Sequence, residues 1–231
     1  MRTRHAVLAK LEPRASHPNR GEATRQKLID AALRIFGAYG FDGASTRMLA
    51  DAAGANLAAI PYYFGGKEGL YRAAAQFVVE SSSSELSPII EQIDGAIVER
   101  GFSRKMACEL LHELLDRFSA LVIGSRVAET WASFVMREQL HPGAAFEIIY
   151  EGMMRPITDA ATRLVATIQK RAADDPRAII ATQAILGQVL IFRVGRAAAL
   201  RSLGWKSFSE DHLRLIRSVV RENVDRIMRQ P

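Results

Sequence analysis

The chain has one cysteine in 231 residues, Cys108, so an intrachain disulfide is impossible and a reducing compartment fits its usage. His112, His141 and His212 lie too far apart for a local metal motif, and no carboxylate spacing completes one. No metal site is expected. The sequence also lacks a Gly-x-Ser-x-Gly elbow, a dinucleotide fingerprint and any Cys-His pairing that would nominate a nucleophile, so neither an enzyme nor a cofactor is expected. Gly65-Gly66-Lys67 is not a phosphate loop, because Glu68 stands where a hydroxyl residue is required and position 61 is not glycine. No apolar run approaches the roughly 20 residues that cross a bilayer. In the first 20 residues the only apolar run is Ala6 to Ala9, too short for a signal-peptide core. A cytoplasmic protein without a membrane partner is the expectation.

What is present is a globular balance, 48% hydrophobic and 24% charged, which suffices to build a core unaided. Net charge is +6, and it is uneven. Residues 1–72 hold eleven basic and six acidic side chains, whereas the remainder holds twenty and nineteen. A basic N-terminal part on a near-neutral body suits contact with a polyanion such as DNA or an anionic membrane, with a solvated charged face as the alternative.

The pattern along the chain is helical throughout, and an all-α fold is expected. Residues 1–20 scatter Pro13, Pro18 and five arginine and lysine residues without periodicity, which reads as a mobile basic arm. Leu28, Ala31, Ala32, Ile35, Phe36 and Tyr39 then mark a first helix over about 22–39, with Gly40 at its C-terminal cap. Ser45 or Thr46 caps a second helix ending at Ala53 before Gly54. Asn56 caps a third through Tyr63, and a fourth starts at Lys67 and runs into the serines at 81–84. Beyond lie amphipathic helices punctuated by Pro88, Gly101, Gly124, Pro142, Pro156 and Pro176. Two C-terminal helices are expected at 178–201 and 208–229, the second opened by a capping box of Ser207 and Glu210. This divides the chain into the arm, a DNA-binding domain over 21–84 that includes the start of the fourth helix, and a sensing and dimerisation domain over 85–231.

Residues 46–64 carry the functional argument. Two short helices in close approach need a small residue on the first, a turn residue tolerant of positive φ, and an apolar anchor on the second, and Ala50, Gly54 and Ile60 have those characters. The third helix is then free to enter a major groove. Residues 24–77, from Thr-Arg-Gln-Lys-Leu-Ile-Asp-Ala-Ala through Tyr-Tyr-Phe-Gly-Gly-Lys-Glu-Gly-Leu-Tyr, resemble the DNA-binding domain of the TetR family of repressors. Met136-Arg-Glu138, His141-Pro142 and Glu151-Gly-Met-Met-Arg-Pro156 resemble the CecR-like branch of that family. The resemblance implies a helix-turn-helix domain followed by a larger helical domain.

On this reading Arg47, Tyr63 and Lys67 contact DNA phosphates, Lys67 with help from the dipole of the helix it opens. Asn56, Ala58, Ala59, Pro61 and Tyr62 complete the DNA-facing set. That set is poor in the Arg, Asn and Gln that read bases in pairs of hydrogen bonds, so thymine methyls and DNA shape carry part of the specificity. Pro61 departs from the family pattern and, inside a helix beginning at Asn56, removes a backbone bond.

A ligand pocket is expected among Trp131, Phe134, Arg137, Glu138, Tyr150, Met154, Gln188, Phe192 and Arg193, because polar groups inside apolar stretches are costly to bury unpaired. For the aromatics and methionines the alternative is plain core; for the charged residues it is an internal ion pair or an exposed face. Ile185 and Val189, with the stripe Leu213, Ile216, Val220, Val224 and Ile227, are expected at a homodimer interface formed by the last two helices as a four-helix bundle. The function expected is a regulator, a repressor released from a palindromic operator in double-stranded DNA by an unidentified small-molecule effector. A sensor-less architectural DNA-binding protein is the alternative.

Overall fold

A computed structural model describes residues 20–229 as helices joined by short loops, with no strand among the described residues. The expected basic arm falls almost wholly outside that range. The first helix, α1 (Arg20–Gly43), leaves helical geometry at Gly40, whose φ is 74°, one residue past the predicted end. Next come α2 (Thr46–Ala53), capped by the Ser45 hydroxyl accepting from Met48 N–H, and α3 (Ala59–Phe64). Leu28, Ala32, Phe36, Leu49, Ala50 and Ile60 are buried together. They make the small core that fixes α2 and α3 on α1.

The connecting helix α4 (Lys67–Val98) runs on well past the serines where the sequence pattern ends it, and Pro88 does not interrupt it. Proline at 88 cannot donate to the Ser84 carbonyl. Both residues lie on the exposed side of the helix, where water can take that carbonyl, while Leu86, Ile89 and Ile93 stay buried on the other side. Packing of the inner face therefore outweighs the lost bond.

The rest of the bundle is α5 (Arg104–Ser119), α6 (Arg126–Leu140), α7 (Phe146–Ile149), α8 (Arg155–Gln169), α9 (Pro176–Val194), α10 (Arg196–Leu203) and α11 (Glu210–Arg229). A π-helical turn at Ala120–Gly124 ends α5, and another at Tyr150–Met154 joins α7 to α8. Pro156 sits directly behind the second turn, where the backbone changes its hydrogen-bonding register. Asp175 caps α9 by accepting from Arg177 N–H at 2.8 Å, with Pro176 in the first turn.

Two expectations at the C-terminus are corrected. The segment 178–201 is two helices, because the chain breaks at Gly195. The helix expected from Phe208 starts at Glu210, and its cap is Ser209, whose hydroxyl lies 3.3 Å from His212 N–H. His212 stacks flat on Trp205, 3.8 Å between ring centres and 6° between planes, and Phe208 meets the edge of Trp205. This ring cluster holds 205–208 as a loop and delays the helix by two residues. Among the described residues, α9 is the one helix long and apolar enough to cross a membrane, with 28% of its apolar window buried. Its Ala178, Thr182, Ile185 and Val189 face the core of the bundle.

Candidate functional site

Three surfaces bear on function: the outer side of α2 and α3, a cavity in the helical bundle, and α6 between them. Gly54 lets α2 and α3 turn tightly, taking the left-handed conformation (φ 61°) while its N–H returns to Asp51 O. Asn56 Oδ1 then accepts from Ala58 N–H at 2.9 Å. Helix α3 consequently begins at Ala59, not at Asn56, which corrects the reading of Pro61. That proline lies in the first helical turn, where no N–H is needed, and the Leu57 carbonyl accepts from Ile60 N–H at 3.3 Å. The recognition helix is regular with proline in it.

Arg47, Asn56, Ala58, Pro61 and Tyr62 are exposed, Tyr62 at 80%, while Ala59, Tyr63 and Lys67 are half-buried. The Tyr62 and Tyr63 rings meet edge to face, 4.8 Å apart, and the Tyr63 hydroxyl lies against Gly21 in the first turn of α1. Lys67 Nζ sits 4.4 Å over the Phe41 ring, and Arg25 covers Phe64. The structure thus gathers Arg47 and the α3 residues on one outer side. It ties Tyr63 and Lys67 into the domain as well.

Helix α6 presses on this domain. Gly37 of α1 leaves no room for a side chain: a Cβ there would lie 2.9 Å from the backbone nitrogen of Phe134. The Arg137 guanidinium lies over Gly40, where the α1 backbone turns. Phe134 is fully buried, with Phe36 and Tyr71 against it. Glu138 is buried too, and accepts from the Tyr71 hydroxyl of α4 and from Gly143 N–H at 3.1 Å. Burial, then the bond to Glu138, pushes the Tyr71 phenol far above its ordinary value and keeps it protonated as a donor. Phe134, Arg137 and Glu138 were expected in the ligand pocket. They join α6 to α1 and α4 instead, because positions 134, 137 and 138 form a stripe along α6 beside the stripe of 131, 135 and 139.

That second stripe lines a cavity of about 470 Å³ bounded by α5, α6, α7, α8 and α9, and open to solvent beside Tyr150, Leu190 and Val194. Trp131, Tyr150, Met154 and Arg193 belong to it as expected. Gln188 does not, being bonded to Asn223 at 3.2 Å, and Phe192 turns away onto Phe208. Phe118, Met136 and Phe146, aromatic and methionine side chains of the same stretch, also line it, whereas sequence reasoning missed Val135, Gln139 and Gln183. The signal for Gln139 was available, since 131, 135 and 139 step by four along one helical face. Arg193 Nε donates to the Val122 carbonyl at 2.6 Å, a group freed where α5 ends in its π-turn. Cys108 lies elsewhere, half-buried, and burial pushes its thiol up, so it is not an activated nucleophile.

The expected dimer residues mostly point inward. Ile185, Val189, Leu213, Ile216, Val220 and Val224 are buried within the chain, and of the seven only Ile227 is exposed. Their stripe is the core face of α9 and α11. The faces left outside carry Ile180 and Ile191 on α9, and Leu215, Val219 and Ile227 on α11.

Comparison with known proteins follows this division. Residues 28–74 match the family described as "Bacterial regulatory proteins, tetR family", and residues 107–230 match "HTH-type transcriptional dual regulator CecR, C-terminal domain". The chain is 35% identical over 209 residues to the HTH-type transcriptional dual regulator CecR of Shigella flexneri, covering 90% of this chain and 93% of that protein. It is 27% identical over 137 residues to the probable HTH-type transcriptional regulator YttP of Bacillus subtilis, covering 56% and 64% of the two chains. Among solved structures, the fold is similar to AibR in complex with isovaleryl coenzyme A and operator DNA (TM-score 0.59, 14% identity, 86% and 96% covered). It is similar also to HlyIIR, a hemolysin II transcriptional regulator (TM-score 0.57, 19% identity, 86% and 97% covered).

Proposed function

Because the chain belongs to the TetR family of DNA-binding transcriptional regulators, with a C-terminal domain of the CecR type, we propose that it represses transcription from a palindromic operator and is released by a small molecule in its cavity. The observation that carries this reading is the double role of α6. One stripe of the helix walls the cavity with Trp131, Val135, Met136 and Gln139; the stripe beside it grips the DNA-binding domain with Phe134, Arg137 and Glu138. An occupant that displaces α6 by a fraction of an ångström must move or unseat those contacts, since a packed interface does not deform continuously. A sensor-less architectural protein has no use for such a cavity.

In this reading Arg47, Tyr63 and Lys67 position the protein on phosphates, while Asn56, Ala58, Ala59, Pro61 and Tyr62 face the major groove. A twofold copy sets two recognition helices at a spacing that suits a palindrome. The dimer forms through the outer faces of α9 and α11. On α9, Ile180, Ala184, Gly187 and Ile191 step by four, three and four, and a Cβ added at Gly187 meets nothing within the chain, so a partner helix can come close there. The protein works in the cytoplasm.

The test is to select bound fragments from genomic DNA with the purified protein at stated salt, then to titrate metabolite pools against the selected site. A palindromic site whose occupancy falls with an added small molecule is the expected result. Binding without sequence preference, or a site that no pool affects, overturns it.

A further inference from the structure

The cavity's wall has an unusual charge pattern. Its lining is aromatic and aliphatic, from Phe118, Trp131, Val135, Phe146, Leu186 and others, with Gln139, Tyr150, Thr158 and Gln183 as neutral polar groups. Arg193 is the one ionised residue in that lining, and no aspartate or glutamate belongs to it. Among the described residues Arg193 reaches no carboxylate within ion-pair distance. The nearby Glu129 pairs with Arg196 instead, at 3.7 Å.

Two buried donors of lining residues are left without acceptors. The indole Nε1 of Trp131 and the Nη2 of Arg193 lie beneath the cavity surface, shielded from water, and neither has a hydrogen-bond partner among the described residues. A buried unmade hydrogen bond is costly, and more so for a charged group. The guanidinium cannot simply swing out to water without giving up the Val122 carbonyl, 2.6 Å from its Nε. Burial pulls the Arg193 pKa down, and the pull of Glu129 in the other direction only partly offsets it.

We infer that the cavity takes a small organic acid: a monocarboxylate with an aliphatic or aromatic body, its carboxylate held by Arg193 with the Trp131 indole as a second donor. The inference rests on the effector reading above and names the chemistry of its occupant. A volume of about 470 Å³ lies within the usual range for drug-sized ligands, so the apolar body has room. Because the carboxylate meets a half-buried positive charge in a mostly apolar lining, the head group contributes selectivity that a neutral isostere cannot match. Trp131 also starts the α6 face that runs on through Val135 to Gln139, so the head group binds on the helix that grips the DNA-binding domain.

Calorimetric titration of the full chain, without DNA, tests this with matched pairs: decanoate against decanamide, and 4-phenylbutyrate against 4-phenylbutanamide. At least one acid is expected to bind about tenfold or more tightly than its amide, in keeping with a charge-assisted bond. Arg193→Gln should remove that preference by weakening the acid at least tenfold more than the amide, and Trp131→Phe should weaken the acid several-fold more than the amide. Amides that bind as well as acids, or two acids that fail to bind, overturn the inference on the wild-type protein alone, whatever the stability of the variants. A preference that survives Arg193→Gln overturns it as well. An acid that binds with the expected preference but leaves operator affinity unchanged supports the acid site and sinks the effector reading. An amide that displaces DNA as well as its acid does the reverse.

Discussion

The Tyr71 hydroxyl donates to the Glu138 carboxylate, joining the first turns of α4 to the last turn of α6 inside a cluster of Phe36, Phe41 and Phe134 rings. The two residues are 67 positions apart, and both are buried. Glu138 also accepts from Gly143 N–H, so one carboxylate fixes the connecting helix, α6 and the loop that follows it. A bond of this kind gives little net stability when intact. Breaking it on one side leaves an unpaired buried charge, and that asymmetry makes it sensitive to any shift of α6.

Tyr71→Phe is therefore expected to destabilise the fold by about 1–3 kcal/mol, more than the loss of one neutral surface bond. Thermal melts should show it. The phenol's pKa is raised above its ordinary value of 10.0, so its contribution is complete below pH 10 and declines at higher pH as the unfolded chain ionises first. The gap between wild type and Tyr71→Phe should narrow in melts taken between pH 10 and 11. A gap that widens there contradicts the bond as described.

On DNA, Arg47→Ala and Tyr62→Ala should behave differently. Arg47 stands exposed in the first turn of α2, suited to a phosphate, so its loss should weaken binding by a similar factor on all sequences and lower the salt slope by about one. Tyr62 is the most exposed ring on α3, and its loss should change preference at particular base pairs. Uniform weakening by both variants would erase the distinction between positioning and reading.

The local signals explain which features were legible beforehand. Ser45, Gly54 and the α1 apolar stripe act within a turn or two of themselves, and α1 and α2 fold where their spacing indicates, while α3 starts three residues beyond Asn56. Pro88 misled because its cost depends on which side of α4 is buried, a tertiary fact. The cavity was half legible. Trp131 and Arg193 showed as aromatic or charged residues in apolar context, but so did Phe134 and Glu138, and only the neighbours of α6 decide which face meets the cavity. The same holds for α11: a stripe at steps of three and four identifies an apolar face, without saying whether its own bundle or a second copy covers it.

For Pro61 the structure reverses the expected sign. A proline within a helix begun at Asn56 would cost stability, so replacing it would help. Since Pro61 occupies the first turn of α3 and displaces no bond, Pro61→Asn instead frees the unfolded chain and should lower stability by about 0.4–1 kcal/mol. Chemical denaturation would register this as a lower midpoint with an unchanged slope. A rise in the midpoint would mean that the turn before Ala59 is strained by the ring.

The adjacent residues Val219 and Val220 separate assembly from folding. Val220 is 4% exposed and belongs to the inner stripe with Ile216 and Val224, whereas Val219 is 47% exposed beside Leu215 on the outer face of α11. Val220→Asp places an unpaired charge in the core and should lower thermal stability severely, with lost helix content at moderate temperature. Val219→Asp meets only solvent in the isolated chain, so its helix content and single-chain stability should stay near wild type. In the dimer proposed above the same carboxylate would face its twofold copy across the helix pair, where like charges repel and apolar contact is lost. Val219→Asp should therefore halve the molar mass measured by light scattering at micromolar concentration. It should also abolish binding to a full palindrome while leaving weak binding to a half-site, because each recognition helix is intact and only their pairing is gone. If Val219→Asp stays dimeric while Val220→Asp turns into a folded monomer, the outer faces of α9 and α11 are not the interface and the inner stripe is exposed in solution.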